Sequence, residues 1–159
     1  MDGPDLHPDC QPIAFLLGTW TGEGEGRYPT VNDFAYGEEV LFDHVGKPFL
    51  RYRQRTWALD DGRPLHGEVG YLRPVASGAR VELVLAHPTG VAEVEEGPLD
   101  GTTLRLATTE LASSGTAKSV TALERDIVVD ANRMSYEVRM AAVGQPLVNH
   151  LVATLVRTP

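Results

Sequence analysis

The chain is short of the residues from which most chemical centres are built. Among its 159 residues there is one cysteine, Cys10. No intramolecular disulfide can form, and no cysteine pair is available to bind a metal. Cys10 itself reads as an incidental thiol near a mobile terminus. The five histidines are His7, His44, His66, His87 and His150, and no two of them are spaced as His-x-His or His-x-x-x-His. Spacing therefore gives little support to a zinc or non-haem iron site built wholly from protein ligands. A Gly-x-Ser-x-Gly elbow is missing, which argues against serine hydrolysis. Positive charge is scarce: 14 Lys and Arg stand against 22 Asp and Glu, for a net charge of −8 and a pI of about 5.0. Such a balance disfavours nucleic-acid and anionic-membrane partners. No apolar run approaches the roughly 18–20 residues of a membrane span. The start, "MDGPDLHPDC", lacks the basic and apolar regions of a secretory signal. A cytoplasmic protein is the expectation.

What remains is ordinary globular material, 42% hydrophobic and 23% charged, of a length suited to one domain. We place a loosely packed or disordered segment at residues 1–12 and a single domain at 13–159. Turn signals recur at 44–48, 60–64, 76–78, 87–90, 96–101, 113–115, 130–132 and 143–146. Between them lie short runs rich in strand-forming residues, such as "RVELVLA" and "TLRLATTEL". In "SYEVRM", Tyr136, Val138 and Met140 share one face and Ser135, Glu137 and Arg139 the other, the pattern of a half-buried antiparallel strand. Helical periodicity is nearly absent. "PDCQPIAFLLG" reads as a short helix or 3₁₀ turn before the first strand. The tail "QPLVNHLVATLVRTP" fits either a helix opened by Pro146 or a strand whose one face carries Val148, His150, Val152, Thr154 and Val156, and the flanking turns and β-branched residues favour the strand. Its other face, Leu147, Leu151 and Leu155, would suit a homodimer interface or burial under another element. Nine or ten strands without βαβ spacing predict an all-β barrel or sandwich.

Near the start, "GTWTGEGEG" sets Trp20, Gly22, Gly24 and Gly26 on one strand face. A phosphate loop would need a helix after the glycines, and "RYPTV" follows instead. Bare backbone on one face permits a sharp bend, a close crossing or a flat ligand. The acidic run "EVEEG" at 93–97 reads as a solvated face. His150 lies among valines, where a neutral imidazole needs a partner. That partner is either a core hydrogen bond or an iron, since a porphyrin supplies four nitrogens and leaves the protein one axial position to fill.

Seven blocks of the chain together resemble one family, the nitrobindins. They are the Gly-x-Trp-x-Gly-x-Gly signature at Gly18, Trp20, Gly22 and Gly24 with "YPT" at 28–30, "FAYGEEV" at 34–40, "HVGKPFLRYRQRTW" at 44–57, "PLHGEVGYLRP" at 64–74, "HPTGVAEVEEG" at 87–97, "TAKSVTALER" at 116–125 and "MAAVGQPLVNHL" at 140–151. The match covers about residues 13 to 157. The resemblance implies an all-β, ten-stranded antiparallel up-and-down β-barrel with a ferric b-type haem, one per chain, near its mouth. His150 matches the family's axial histidine and Lys118 a lysine that reaches a haem propionate. Leu65, His66, His87 and Met140 would line the opposite face, with His66 positioned to touch an iron-bound ligand. The implied activity is isomerisation of peroxynitrite to nitrate, with nitric oxide as a further ligand. Arg51, Arg53, Arg55 and Arg73 are the candidates for attracting an anion to the mouth. Two alternatives stay open on the sequence: a carrier of a fatty acid or other apolar molecule, and a nitric oxide sensor without turnover.

Overall fold

The computed structural model describes residues 3–159; Met1 and Asp2, the first two residues of the 1–12 segment, lie outside the described residues. A 3₁₀ helix, Pro8–Leu16, precedes ten strands: β1 Gly18–Tyr28, β2 Val31–Asp43, β3 Leu50–Ala58, β4 Pro64–Val75, β5 Arg80–His87, β6 Val91–Asp100, β7 Thr103–Ser113, β8 Val120–Asp130, β9 Arg133–Ala142 and β10 Val148–Arg157. Each strand pairs antiparallel with the next, and β1 closes on β10. This is the expected ten-stranded up-and-down barrel. Every strand is thus paired on both sides, although the β7–β8 ladder spans only Thr103–Ala107 of β7, whose remainder pairs with β6 alone.

The helix plugs one end. Cys10, Ile13, Leu16 and Trp20 are each fully buried, in one cluster with Val40, Phe42, Leu50, Leu72, Leu104 and Leu155. Cys10 is thus no incidental thiol: its side chain packs under the plug, with Sγ 3.6 Å from the Lys47 carbonyl. The Trp20 indole N–H donates to the Leu16 carbonyl at 2.8 Å. That bond satisfies a buried donor and ties plug to barrel.

The glycine face of β1 lies inside, and neighbouring protein fills the volume it gives up. A Cβ on Gly22 would stand 2.9 Å from the Leu155 Cα of β10. One on Gly24 would run into Tyr36 and one on Gly26 into the Phe34 ring. The glycines therefore serve a close strand crossing and two inward aromatics. One predicted turn is absent: the 96–101 stretch is strand as far as Asp100, with Pro98 opposite Arg80 and the bend delayed to Gly101.

Candidate functional site

The end opposite the plug is an open mouth. It is framed by the β1–β2, β3–β4, β5–β6, β7–β8 and β9–β10 connections. His66, His87, Met140 and His150 all reach it from inside or along its edge.

His150 owes its position to an irregularity in β10. On one side Asn149 pairs with Arg139, and on the other Leu151 pairs with Val138, so His150 is the extra residue of a β-bulge. Bulges re-aim one side chain and reverse the alternation that follows. Beyond the bulge Leu151, Ala153 and Leu155 turn inward, while Val152 and Val156 are exposed. The single apolar face expected for Val148, His150, Val152, Thr154 and Val156 is thereby broken. The leucine face offered to a second copy is likewise reduced to exposed Leu147, because Leu155 is fully buried in the barrel.

The imidazole itself is tightly held. His150 Nδ1 lies 2.9 Å from the Arg27 carbonyl, an acceptor, so Nδ1 carries the hydrogen. The Nε2 lone pair is left free. The Tyr28 ring meets the imidazole edge-on, with centroids 5.3 Å apart. Tyr28 is fixed in turn, its hydroxyl accepting from the Ala142 N–H at 2.8 Å and donating to the Ala142 carbonyl at 3.1 Å. Burial lowers the pKa of His150, outweighing the opposite pull of its bond to Arg27. It is thus a neutral, oriented imidazole with one free nitrogen, the form that binds iron.

Beneath the mouth the interior is polar. His66 Nε2 and His87 Nδ1 lie 3.1 Å apart, and His87 Nε2 lies 3.3 Å from Glu93 Oε2. Arg125 makes a two-toothed contact with Glu68 at 2.9 and 3.1 Å and a second with Glu95 at 3.1 and 3.3 Å. Tyr52 donates to Glu68 at 2.7 Å. Alongside, Glu38 accepts from Gln54 at 2.9 Å and from Tyr136 at 2.6 Å. Burial raises Glu38 to about 7 and Glu95 to about 8. Burial would also raise Glu68, but the Arg125 charge and hydrogen bonds outweigh it and hold Glu68 at about 2. Burial lowers both His66 and His87.

This network overturns the reading of "EVEEG" as a solvated face: Glu93 and Glu95 are 3% and 0% exposed and point inward. Elsewhere the placement is mixed. Met140 is half-buried beside Val148 on the inner wall. Leu65 lies on the opposite side of β4 from His66 and is 40% exposed, so it belongs to the rim. Lys118 is exposed in the β7–β8 connection. The arginines do not serve the mouth. Arg51, Arg55 and Arg73 face outward and are engaged with Asp43, Glu39 and Glu82, and Arg53 is outward too. Sequence reasoning also missed Tyr28, whose only signal was its place in the "YPT" turn.

The residues present fit a haem at the mouth and exclude one deeper in. The cavity beneath is about 20 Å³, walled by Glu38, Tyr52, Glu68, Arg125 and Tyr136 among others. A larger groove of about 590 Å³ runs over the outside of the barrel past Glu23, Glu25, Val128 and Val152, away from every histidine described above.

Comparison with known proteins agrees with this geometry. Residues 9–157 match the family described as THAP4-like, heme-binding beta-barrel domain. The chain is 55% identical over 157 residues to peroxynitrite isomerase 2 of Mycobacterium avium, covering 96% of this chain and 97% of that one. It is 54% identical over 157 residues to a peroxynitrite isomerase of Nocardia farcinica, covering 96% and 92%. The crystal structure of Rv2717c from M. tuberculosis superposes with a TM-score of 0.91 at 49% identity, over 98% of this chain and 100% of that one. The closed ten-stranded barrel, the free imidazole at its mouth and these matches place the chain in the THAP4-like haem-binding β-barrel family, the nitrobindins.

Proposed function

We propose that the chain is a haem-dependent peroxynitrite isomerase, holding one ferric b-type haem through His150. The observation that carries the reading is the His150 imidazole, its Nδ1–H committed to the Arg27 carbonyl and its Nε2 lone pair free beside the mouth. The relatives named peroxynitrite isomerase support the substrate. When bound, the ferric haem supplies the Lewis acidity that lets peroxynitrite rearrange to nitrate without any external electron.

The chain's own residues then have limited tasks. Arg27 and Tyr28 fix the tautomer and tilt of His150. Lys118, exposed in the β7–β8 connection, would supply a positive charge for a propionate. Met140 and His66 shape the inner face, and His66 is steadied by His87. Exposed Phe34, Leu65 and Leu147 form an apolar rim that sheds water from the mouth. Peroxynitrite gains no attraction from the outward, paired arginines, and the net charge of −8 opposes it at long range. Nitric oxide, small and uncharged, would enter the same mouth without that penalty.

The barrel interior weakens the carrier alternative. A cavity of about 20 Å³ lined by carboxylates and a guanidinium has no space for a fatty-acid tail. The test is hemin titration of the apoprotein beside His150→Ala. A sharp Soret band saturating at one haem per chain, lost in the variant together with peroxynitrite decay, is the expected result. Full activity at ordinary haem affinity in His150→Ala would end the assignment. Haem binding without turnover would leave the sensor.

A further inference from the structure

The floor of the mouth brings together three donor atoms that the haem reading does not use as ligands. His66 Nε2 and His87 Nδ1 are 3.1 Å apart, and His87 Nδ1 is 3.7 Å from Glu68 Oε1. All three atoms lie within 4.8 Å of one another. We propose that His66, Glu68 and His87 form a second metal site, for a divalent first-row transition ion such as zinc or cobalt, distinct from the iron position at His150.

Strand register builds the cluster. Val69 pairs with Ala86 across β4 and β5, so Glu68 and His87 stand at the next step of the same ladder, and His66 follows on the same inward face. The separation of 21 positions between the histidines conceals this from any spacing rule. A tetrahedral ion with bonds of about 2.0–2.1 Å holds neighbouring donors roughly 3.3–3.4 Å apart. Two edges of the cluster already lie near that value. The third closes by rotation of His66, whose side chain is at the open end.

The surroundings are those of a metal centre. A ligating histidine ordinarily donates its second ring N–H to a carboxylate, and His87 Nε2 lies 3.3 Å from Glu93 Oε2. The other oxygen of Glu93 is buried without a hydrogen-bond partner. Arg125 braces Glu68 from the far side; Oε2 accepts from both Arg125 and Tyr52, while Oε1, which accepts from Arg125 alone, retains a second acceptor direction. The guanidinium repels a cation, but it is outnumbered. Among the described residues the buried charged ones are Glu38, Glu68, Glu93, Glu95 and Arg125, four acids against one base. A divalent ion offsets that excess, which the fold otherwise meets by keeping carboxyls protonated. Both imidazoles are held neutral by burial. Binding needs only the transfer of the one proton shared between the facing nitrogens to His66 Nδ1 or to water.

The test uses the haem-free chain titrated with cobalt(II), followed by ligand-field absorption, and then zinc in competition. Expected are one equivalent per chain, at least a hundredfold weaker binding in His87→Ala and in His66→Ala, and about tenfold weaker binding in Glu93→Gln. His44→Ala, remote from the cluster, and His150→Ala should bind as the wild type does. Circular dichroism on each variant confirms the barrel, and His87→Asn serves if His87→Ala does not fold. Absence of a saturable cobalt spectrum overturns the proposal. So does a spectrum lost in His150→Ala but kept in His87→Ala, which would put the ion at the iron position. Hemin uptake by the same wild-type sample reports separately on His150, so cobalt binding without a Soret band would sink the haem reading alone.

Discussion

The acids inside this barrel should give it an unusual dependence of stability on pH. Glu95 is held at about 8 and Glu38 at about 7, both raised from an ordinary 4.5 mainly by burial. Between 4.5 and these values the folded chain keeps protons that the unfolded chain has released. Stability therefore falls as pH rises through that window. At about 1.4 kcal/mol per pH unit, the rise of Glu95 from 4.5 to about 8 corresponds to on the order of 4–5 kcal/mol and that of Glu38 to about 3. Glu68 acts in the opposite sense. Its pKa is lowered to about 2, so its contribution is present above 4.5 and is lost as pH falls toward 2. The lowered histidines His66, His87 and His150 oppose the Glu95 and Glu38 limb below about 6.5, so the two limbs meet in a maximum below neutrality and the fall is steepest above 6.5. Urea unfolding of the haem-free chain, followed by the fluorescence of buried Trp20, should show at least about 3 kcal/mol lost between pH 5 and 8.5. Glu95→Gln should flatten that limb by about half, since the amide has no proton to lose. A stability that is flat or rising from pH 5 to 8.5, or an unchanged slope in Glu95→Gln, would refute the buried-acid account.

Three further outcomes follow from packing. Arg125→Met leaves Glu68 buried with no cation against it and should cost about 3–5 kcal/mol in urea unfolding; a cost below about 1 kcal/mol would show that water already solvates the pair. Gly97→Ala places a Cβ against the Arg105 backbone, 2.8 Å from its carbonyl carbon and 3.2 Å from the Leu106 Cα, and should cost more than about 2 kcal/mol, whereas Gly101→Ala meets no neighbour and pays only for its left-handed φ. Cys10, fully buried and with its thiol pKa raised by burial, should react with a disulfide reagent only as fast as the plug opens, so labelling at native pH that matches a free thiol would contradict the packing of Pro8–Leu16.

Strand character and the helical turn were legible because they rest on local signals; these left nine or ten strands and a barrel or a sandwich, and the count of ten with closure came from the resemblance. Turns recur at regular intervals, no helical stripe competes with them, and the alternation in β9 survives intact from Met134 to Met140. The tail read correctly as a strand, but not its faces. An alternation rule has no means of seeing a bulge, and one extra residue at His150 reversed the assignment of everything after it. That error concerned the residue of greatest interest, and for a physical reason: bulges gather at functional positions because they aim single side chains.

The second failure was one of sign. Alternation alone does not say which face is the interior: along "HGEVGY" the inward positions are His66, Glu68 and Gly70, while Val69 and Tyr71 are 55% and 48% exposed. Polarity is inverted here, as it is along β6, where Glu93 and Glu95 face in. A closed barrel of this size has a plugged end, which must be apolar to hold the fold, and an open end, which is free to be something else. Burying four carboxylates is costly, and their only cost-free alternative, the outer surface, lay one residue away on the same strands. Their inward register therefore cannot be a by-product of packing. A strand that sends its valines to solvent and its acids inside marks the end of the barrel where chemistry is done, and that inversion was readable in the sequence once closure was granted.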